Sequence, residues 1–161
     1  MKYPKIDESK LAEVMKIIDT AANLMAEKDC EADMVAKQEL NTLQKQLIKV
    51  TGNPKINIRD YRRYWAATNL ETVGRSALYL PPQKTGLTDA QLTELIRRIF
   101  ELDFDVPKNA LEATNDYFLE VLKVETGLDN ITDYIYWPEE AGLNEDASLD
   151  EITAKILADK K

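Results

Sequence analysis

Two carboxylates, Asp116 and Glu120, are the residues whose type and spacing come nearest to catalytic chemistry. They lie four residues apart in a segment with helical periodicity, so the sequence places them on one face of a helix. Such a pair can bind Mg²⁺ or share a proton. A second pair at suitable helical positions is missing, and Lys123 follows Glu120 closely enough to neutralise part of its charge. We therefore interpret the pair as a solvated helix face, and no catalytic residue is predicted.

Other residue types that carry chemistry are scarce. The chain has no histidine, which excludes Ser-His-Asp and Cys-His catalysis, histidine-ligated zinc or copper, and a histidine pH switch. The single cysteine, Cys30, cannot form an intramolecular disulfide, and its neighbours Asp29 and Glu31 disfavour the thiolate. The acidic segment beginning at Asp103 lacks the glycine and the final glutamate of a calcium loop. The sequence predicts no metal site and no cofactor.

A basic island interrupts an otherwise acidic chain. Residues 1–51 carry 8 basic and 9 acidic side chains, residues 52–86 carry 6 and 2, and residues 87–161 carry 7 and 18, which gives net charges of −1, +4 and −11. Guanidinium groups bind phosphate or carboxylate through two parallel hydrogen bonds, and aromatic faces stack on bases or on guanidinium groups. The island therefore predicts an anion-binding site, which comprises Arg59, Arg62, Arg63, Tyr64 and Trp65.

The expected geometry of this site depends on a predicted helix over residues 58–67. Spacings of three and four place its three arginines on one face, while Tyr61 and Trp65 lie on another face that can anchor in the core. The alternative is internal neutralisation, in which these arginines pair with acidic side chains from residues 87–161. The net charge of −8 argues against nucleic-acid binding, because it repels phosphate backbones at long range.

A second cluster combines aromatic and acidic side chains near the C-terminal end. Tyrosine and tryptophan dominate the energetics of protein interfaces, and neighbouring carboxylates favour a basic partner. The predicted partner-binding residues are Asp133, Tyr134, Tyr136, Trp137, Glu139 and Glu140. The alternative is a helix end that packs against the core through Tyr134 and Trp137.

The apolar pattern predicts the helices that must position these residues. Repeats of three and four residues indicate an all-α fold of about seven helices, in which an N-terminal antiparallel hairpin packs on a C-terminal helical subdomain. Helices are expected over 7–26, from about 34 to Thr51, and over 58–67, 70–79, 88–102, 110–126, 132–137 and from Ser148 onwards. The chain is predicted to form a single domain over 1–161, with a weak internal boundary near 52–57.

Composition narrows the function without identifying it. With 161 residues, 44% of them hydrophobic and 31% charged, the chain can bury a core without disulfides or metals. It has no apolar stretch typical of a signal peptide or a membrane span, so a cytoplasmic location away from the membrane is expected. The favoured hypothesis is a non-enzymatic module that binds a basic protein partner, with an inhibitor-type or immunity-type role compatible with it. The alternative is a small-molecule or anion-binding domain with a cleft lined by arginine and aromatic side chains. This alternative does not decide whether the protein is an enzyme, and the sequence does not decide its oligomeric state.

Overall fold

The computed structural model describes residues 4–161, and over this range the chain is all-α, which confirms the predicted fold class. Its α-helices are α1 (Leu11–Glu27), α2 (Met34–Thr51), α3 (Leu70–Leu78), α4 (Asp89–Glu101), α5 (Leu111–Thr126), α6 (Ile131–Tyr136) and α7 (Leu149–Asp159). Short 3₁₀ turns lie at Glu8–Lys10, Ile58–Tyr61, Tyr64–Ala66, Lys108–Ala110 and Pro138–Ala141. None of the helices described is both long and apolar enough to cross a bilayer.

The chain divides into two compact units, Met1–Leu80 and Pro81–Lys161. The division falls beside the Pro81-Pro82 pair, where two successive prolines prevent a helix from continuing. The connector 52–57, which was expected to be the weakest point, lies inside the first unit. A single domain over 1–161 stays a prediction.

The first unit is built on α1, which packs against both α2 and α3. Its core is formed by apolar side chains that recur at helical spacing on α1 and α2, among them Val14, Ile18, Leu40 and Leu47, all at most 1% exposed. Asp33 caps α2 by accepting hydrogen bonds from two backbone N–H groups, and Gly52 ends it in the left-handed conformation, as its sequence position predicts. At Gly74 a methyl group would lie 2.8 Å from Cγ of Met15, so the missing side chain is what lets α3 approach α1.

The predicted helix over 58–67 is wrong. In its place are two 3₁₀ turns, Ile58–Tyr61 and Tyr64–Ala66, separated by a backbone at Arg63 (φ −135°, ψ 43°) that is not helical. The reason is tertiary. The side chain of Gln44 on α2 donates to the carbonyl of Ile56 and accepts from the N–H of Ile58, both at 2.7 Å, which fixes the incoming chain against α2. The three arginines therefore do not share one helical face.

The second unit packs α4 against α5 and α7, with α6 between α5 and α7. Its core includes Leu95, Ile96, Leu122 and Ile156, none of which is exposed. Capping boxes fix the starts of α4 and α7: Thr88 exchanges hydrogen bonds with Gln91, and Ser148 exchanges them with Glu151. Gly127 ends α5 at a φ of +70°, a conformation that costs glycine little.

Candidate functional site

Arg59 is held by the loop between α1 and α2. Its Nε and NH2 atoms donate to Oε1 of Glu31, at 3.3 and 3.1 Å, and Nζ of Lys37 lies 3.7 Å from the other oxygen of the same carboxylate. All three side chains are exposed by 40% or more, so solvent screens the pair and its contribution to stability is small. The charge of Arg59 is therefore neutralised by a carboxylate of the same unit.

Arg62 and Arg63 differ from Arg59 because both are exposed and neither makes an ion pair or a hydrogen bond through its side chain within residues 4–161. Tyr64 is anchored instead: its hydroxyl donates to Oδ1 of Asp19 on α1 at 2.7 Å, and this bond, with burial, raises the pKa of Tyr64. Trp65 is 51% exposed and touches Tyr64 edge-to-face, with ring centroids 5.4 Å apart. The five residues of the predicted anion site therefore do not converge.

A cleft of about 650 Å³ lies between the α1–α2 loop and the 3₁₀ turn Ile58–Tyr61, and two of the predicted arginines line it. Arg59 and Arg62 line it, while Arg63, Tyr64 and Trp65 do not. The remaining lining is Met25, Ala26, Glu27, Lys28, Asp29, Cys30, Glu31 and Leu40. Its three cationic side chains face three carboxylates, so the cleft has no net charge.

The thiol of Cys30, which lines this cleft, is unreactive by its surroundings. The side chain is 8% exposed, and burial is the main reason that its pKa lies above the ordinary value. Arg59 acts in the opposite direction, but Asp29, Asp33 and Glu31 add to the effect of burial. These surroundings therefore favour the thiol over the thiolate, which agrees with the sequence interpretation.

The aromatic and acidic cluster is divided between the core and the surface. Tyr134 is 6% exposed, and its hydroxyl donates to Oδ2 of Asp159 on α7 at 2.8 Å, so this ring packs α6 onto α7. Tyr136 and Trp137 are 45% and 54% exposed and touch edge-to-face, with centroids 6.0 Å apart. Glu139 and Glu140 are exposed on the adjoining 3₁₀ turn, and Asp133 is half-buried.

We refer to Tyr136, Trp137, Glu139 and Glu140 as the aromatic–acidic surface. Neither glutamate forms an ion pair within the described part of the chain, although residues 87–161 include 7 lysines and arginines. Several of these basic side chains already form ion pairs with other carboxylates. Arg97 pairs with Glu94, Glu101 and Asp103, Arg98 pairs with Glu94, and Lys155 pairs with Asp159. The two carboxylates therefore remain open to an external cation.

Asn115 on α5 belongs beside this surface, and the sequence reasoning missed it. The residue is 8% exposed, and its Nδ2 donates to the hydroxyl oxygen of Tyr136 at 3.1 Å. Its other polar atom, Oδ1, is buried and has no hydrogen-bond partner among the residues described. A signal was present: positions 111, 115, 118, 119 and 122 form the inward stripe of α5, and Asn115 is the polar residue among them.

The carboxylate pair considered first for catalysis stays on the surface of α5. Asp116 and Glu120 are both exposed, and Lys123 forms an ion pair with neither of them within residues 4–161. Among the described residues, no group of three or more acidic, cysteine or histidine side chains is arranged to hold a metal ion.

Comparisons with known proteins do not add a family to these observations. No protein-family model matches the chain. No curated protein and no solved structure matches it either.

Proposed function

We propose that this protein is a non-enzymatic interaction module that binds a basic protein partner through the aromatic–acidic surface. The observation that carries the proposal is the exposure of Tyr136 and Trp137, at 45% and 54%, next to two carboxylates that have no cation of their own. An inhibitor-type or immunity-type role and a cytoplasmic location fit this proposal and form part of it.

The physical support comes from what such a surface gains on binding. A tyrosine and a tryptophan in contact bury a large apolar area at a small cost in side-chain entropy, because each has only two side-chain torsions. Two adjacent carboxylates reject acidic partners and attract basic ones, and the net charge of −11 on residues 87–161 extends that attraction over distance. Apolar anchors supply affinity, and the acidic rim supplies selectivity.

Affinity capture with matched variants tests the proposal. Wild-type protein and the double variant Trp137→Ala/Glu139→Lys are immobilised in parallel, with Trp65→Ala as the control, because Trp65 is equally exposed but lies in the first unit. We expect basic proteins that are retained by the wild type and the control and lost by the double variant. Each candidate is then purified and titrated calorimetrically, with a weakening of at least about tenfold expected for loss of a hot-spot aromatic. Equal retention by all three proteins contradicts the proposal.

A second candidate function, anion or small-molecule binding, is favoured by one observation. Arg62 lines the cleft of about 650 Å³ with a guanidinium that has no partner in residues 4–161. Ligand pockets commonly have volumes of roughly 300–1,000 Å³. The balanced charge of the lining and the position of Arg63, Tyr64 and Trp65 outside it weaken this candidate relative to the first.

A thermal-shift screen at low salt, with phosphate-bearing metabolites and small carboxylates, tests the second candidate. A ligand at one hundred times its dissociation constant stabilises the folded protein by about 2.7 kcal/mol, and each kcal/mol raises the midpoint by roughly 2–4 °C in a protein of this size. Arg62→Ala should remove the shift, while Arg63→Ala should preserve it, because Arg63 is also exposed but does not line the cleft. A shift that survives Arg62→Ala, or no shift at all, excludes the cleft as this site.

A further inference from the structure

The unpaired oxygen of Asn115 points to the chemistry of a ligand. An amide oxygen that is buried without a hydrogen bond costs about 1–3 kcal/mol, and such groups are rare in native proteins unless a water or a ligand completes them. Nδ2 of the same side chain donates to the hydroxyl oxygen of Tyr136, so Oδ1 belongs to the amide group that contacts this exposed tyrosine. A partner group bound at the aromatic–acidic surface can supply the missing donor, because the same amide already contacts Tyr136.

The aromatic–acidic surface, which Asn115 contacts through Tyr136, has the same requirement. Glu139 and Glu140 are exposed carboxylates without ion pairs in the described chain, and the faces of Tyr136 and Trp137 carry negative π density that attracts cations. The hydroxyl oxygen of Tyr136 accepts one hydrogen bond and retains further acceptor capacity. Only the tyrosine hydroxyl and the indole N–H add donors to a surface that otherwise consists of acceptors.

We infer that the aromatic–acidic surface recognises an arginine side chain of its partner, whose guanidinium stacks on Tyr136 and donates a hydrogen bond to Oδ1 of Asn115. This inference rests on the proposed function and specifies the partner's contact residue. The contact requires the Tyr136 ring to turn slightly outwards. A half-exposed side chain changes rotamer within nanoseconds, and such changes are common at interfaces.

The geometry favours arginine over lysine. A guanidinium is planar and carries five donors in a fixed fork, so it can lie flat on an aromatic ring and still donate from its edge to two acceptors. Here the two acceptors are Oδ1 of Asn115 and a carboxylate of Glu139 or Glu140. An ammonium group attracts the same carboxylates, but it is strongly hydrated and has no flat face to stack.

Synthetic peptides supply the probe. The chain has two tryptophans, so the Trp65→Phe protein reports on Trp137 alone by fluorescence. It is titrated at low salt with a peptide of four Gly-Ser-Arg repeats and with matched peptides in which lysine or citrulline replaces every arginine. A hydrogen bond to a charged donor typically changes affinity by at least tenfold. We therefore expect the arginine peptide to bind at least about tenfold more tightly than the lysine peptide, and the citrulline peptide to bind most weakly.

Variants of Asn115 connect this preference to the proposed contact. Asn115→Leu removes the acceptor and should reduce the preference for arginine over lysine to below about threefold, whereas Asn115→Asp keeps an acceptor and should preserve it. Asn144→Leu, an exposed asparagine of the same unit, is the control. Circular dichroism verifies the fold of each variant. If Asn115→Leu does not fold, Tyr136→Leu takes its place, because it removes the ring on which the guanidinium stacks, and it should at least halve the preference.

The outcomes separate this inference from the proposed function. If both cationic peptides bind equally well and Glu139→Lys weakens both, the basic-partner proposal stands and the arginine inference is wrong. If Glu139→Lys together with Glu140→Lys weakens neither peptide, the surface itself is wrong. An arginine preference that survives Asn115→Leu at full strength also overturns the inference, as does a lack of measurable binding by the arginine peptide.

Discussion

The carboxylate of Glu125 accepts two hydrogen bonds from Thr85, one from the backbone N–H and one from the hydroxyl, both at 2.6 Å. Its second oxygen accepts from the N–H groups of Gly86 and Leu87, at 2.9 and 3.1 Å. The glutamate lies near the end of α5 and is 6% exposed. One buried side chain therefore holds the segment that leads into α4, a contact that the sequence pattern did not predict.

Replacing Glu125 should destabilise the protein more than any exposed carboxylate would. In Glu125→Gln the amide nitrogen cannot accept, so N–H groups that faced that oxygen lose their partner and α5 loses a charge-assisted contact. We expect the free energy of unfolding to fall by about 2–3 kcal/mol. Urea denaturation measures this, with Glu120→Gln as the control, because Glu120 is exposed on the same helix. Equal losses for the two variants would show that the hydrogen bonds contribute little.

The same carboxylate predicts a pH dependence. Burial alone would raise the pKa of Glu125, but the hydrogen bonds from Thr85, Leu87 and Gly86 outweigh it, and the pKa lies below the ordinary value. A carboxyl group whose pKa is lower in the folded state contributes stability above its unfolded pKa and loses it as pH falls through the folded pKa. The free energy of unfolding of the wild type should therefore exceed that of Glu125→Gln by its full amount at pH 7. This difference should shrink as the pH falls below about 4. Denaturation at a series of pH values measures it, and a difference that grows on acidification contradicts the assignment.

Arg75 gives a corresponding prediction for the first unit. Its side chain is 8% exposed; Nε and NH2 donate to Oε1 of Glu71 at 3.3 and 2.9 Å, and NH1 pairs with Glu8. Removing both carboxylates in Glu8→Gln/Glu71→Gln leaves a buried cation without a counter-charge, which should cost about 3 kcal/mol. Glu31→Gln, which breaks the exposed pair with Arg59, is the control and should cost less than about 1 kcal/mol. Thermal unfolding of the wild type, the double variant and the control measures these losses. Similar midpoints for the double variant and the control would contradict the prediction that the buried ion pairs of Arg75 stabilise the protein.

Leu102 is a position where a substitution should stabilise the protein. It ends α4 with a φ of +52°, in the left-handed region that costs a residue with a side chain roughly 1–2 kcal/mol, and it is 48% exposed. Leu102→Gly removes that cost, partly offset by the greater freedom of glycine in the unfolded chain, so we expect a gain of about 0.5–1 kcal/mol. Leu80→Gly is the control, because Leu80 is also exposed but has no positive φ, and it should give no gain. A loss of stability in Leu102→Gly would mean that the partly buried leucine side chain outweighs the backbone strain.

Local signals predicted most of the helices, because those signals act within a few residues of the chain. The capping residues Thr88 and Ser148 and the terminating glycines Gly52 and Gly127 each act on backbone groups within four positions. The segment 58–67 failed for the opposite reason. Its backbone is fixed by Gln44, which is 12 and 14 residues away from its two partners. A polar side chain that binds a remote backbone leaves no periodic pattern in the sequence.

The sequence predicted which residues belong to the aromatic and acidic cluster, but not which of them are exposed. Tyr134 and Tyr136 are two residues apart in a short helix, so they point in different directions: one ring is buried and bonded to Asp159, and the other is exposed. Composition cannot tell them apart, because this depends on where α7 lies. Asn115 was missed for a related reason, since a polar residue on an inward stripe becomes informative only when its partner and its unpaired atom are seen.

The row of carboxylates on α5 supplies the last prediction. Glu112, Asp116 and Glu120 repeat every four residues, so Asp116 has a like charge one turn away on each side. Although the side chain is exposed, partial loss of hydration raises the pKa of Asp116 above its ordinary value, and the negative charges of Glu112 and Glu120 raise it further. Because the raised pKa means that the fold disfavours the charged form, Asp116→Asn should increase the free energy of unfolding at pH 7, by about 0.5 kcal/mol for two like-charge pairs on a helix.

A control variant and a pH series test whether the gain in stability comes from relief of the like-charge repulsion on α5. Asp150→Asn removes a carboxylate from the first turn of α7, where the helix dipole stabilises negative charge, so it should lower stability by about 0.3–1 kcal/mol. The advantage of Asp116→Asn should be complete above the folded pKa and disappear as pH falls below the ordinary aspartate pKa, since the wild-type side chain is then protonated in both states. Urea denaturation of the three proteins at neutral and acidic pH measures both effects. An Asp116→Asn protein that is less stable than the wild type at pH 7 would mean that the carboxylate has a stabilising partner, which contradicts the like-charge repulsion assigned to Asp116.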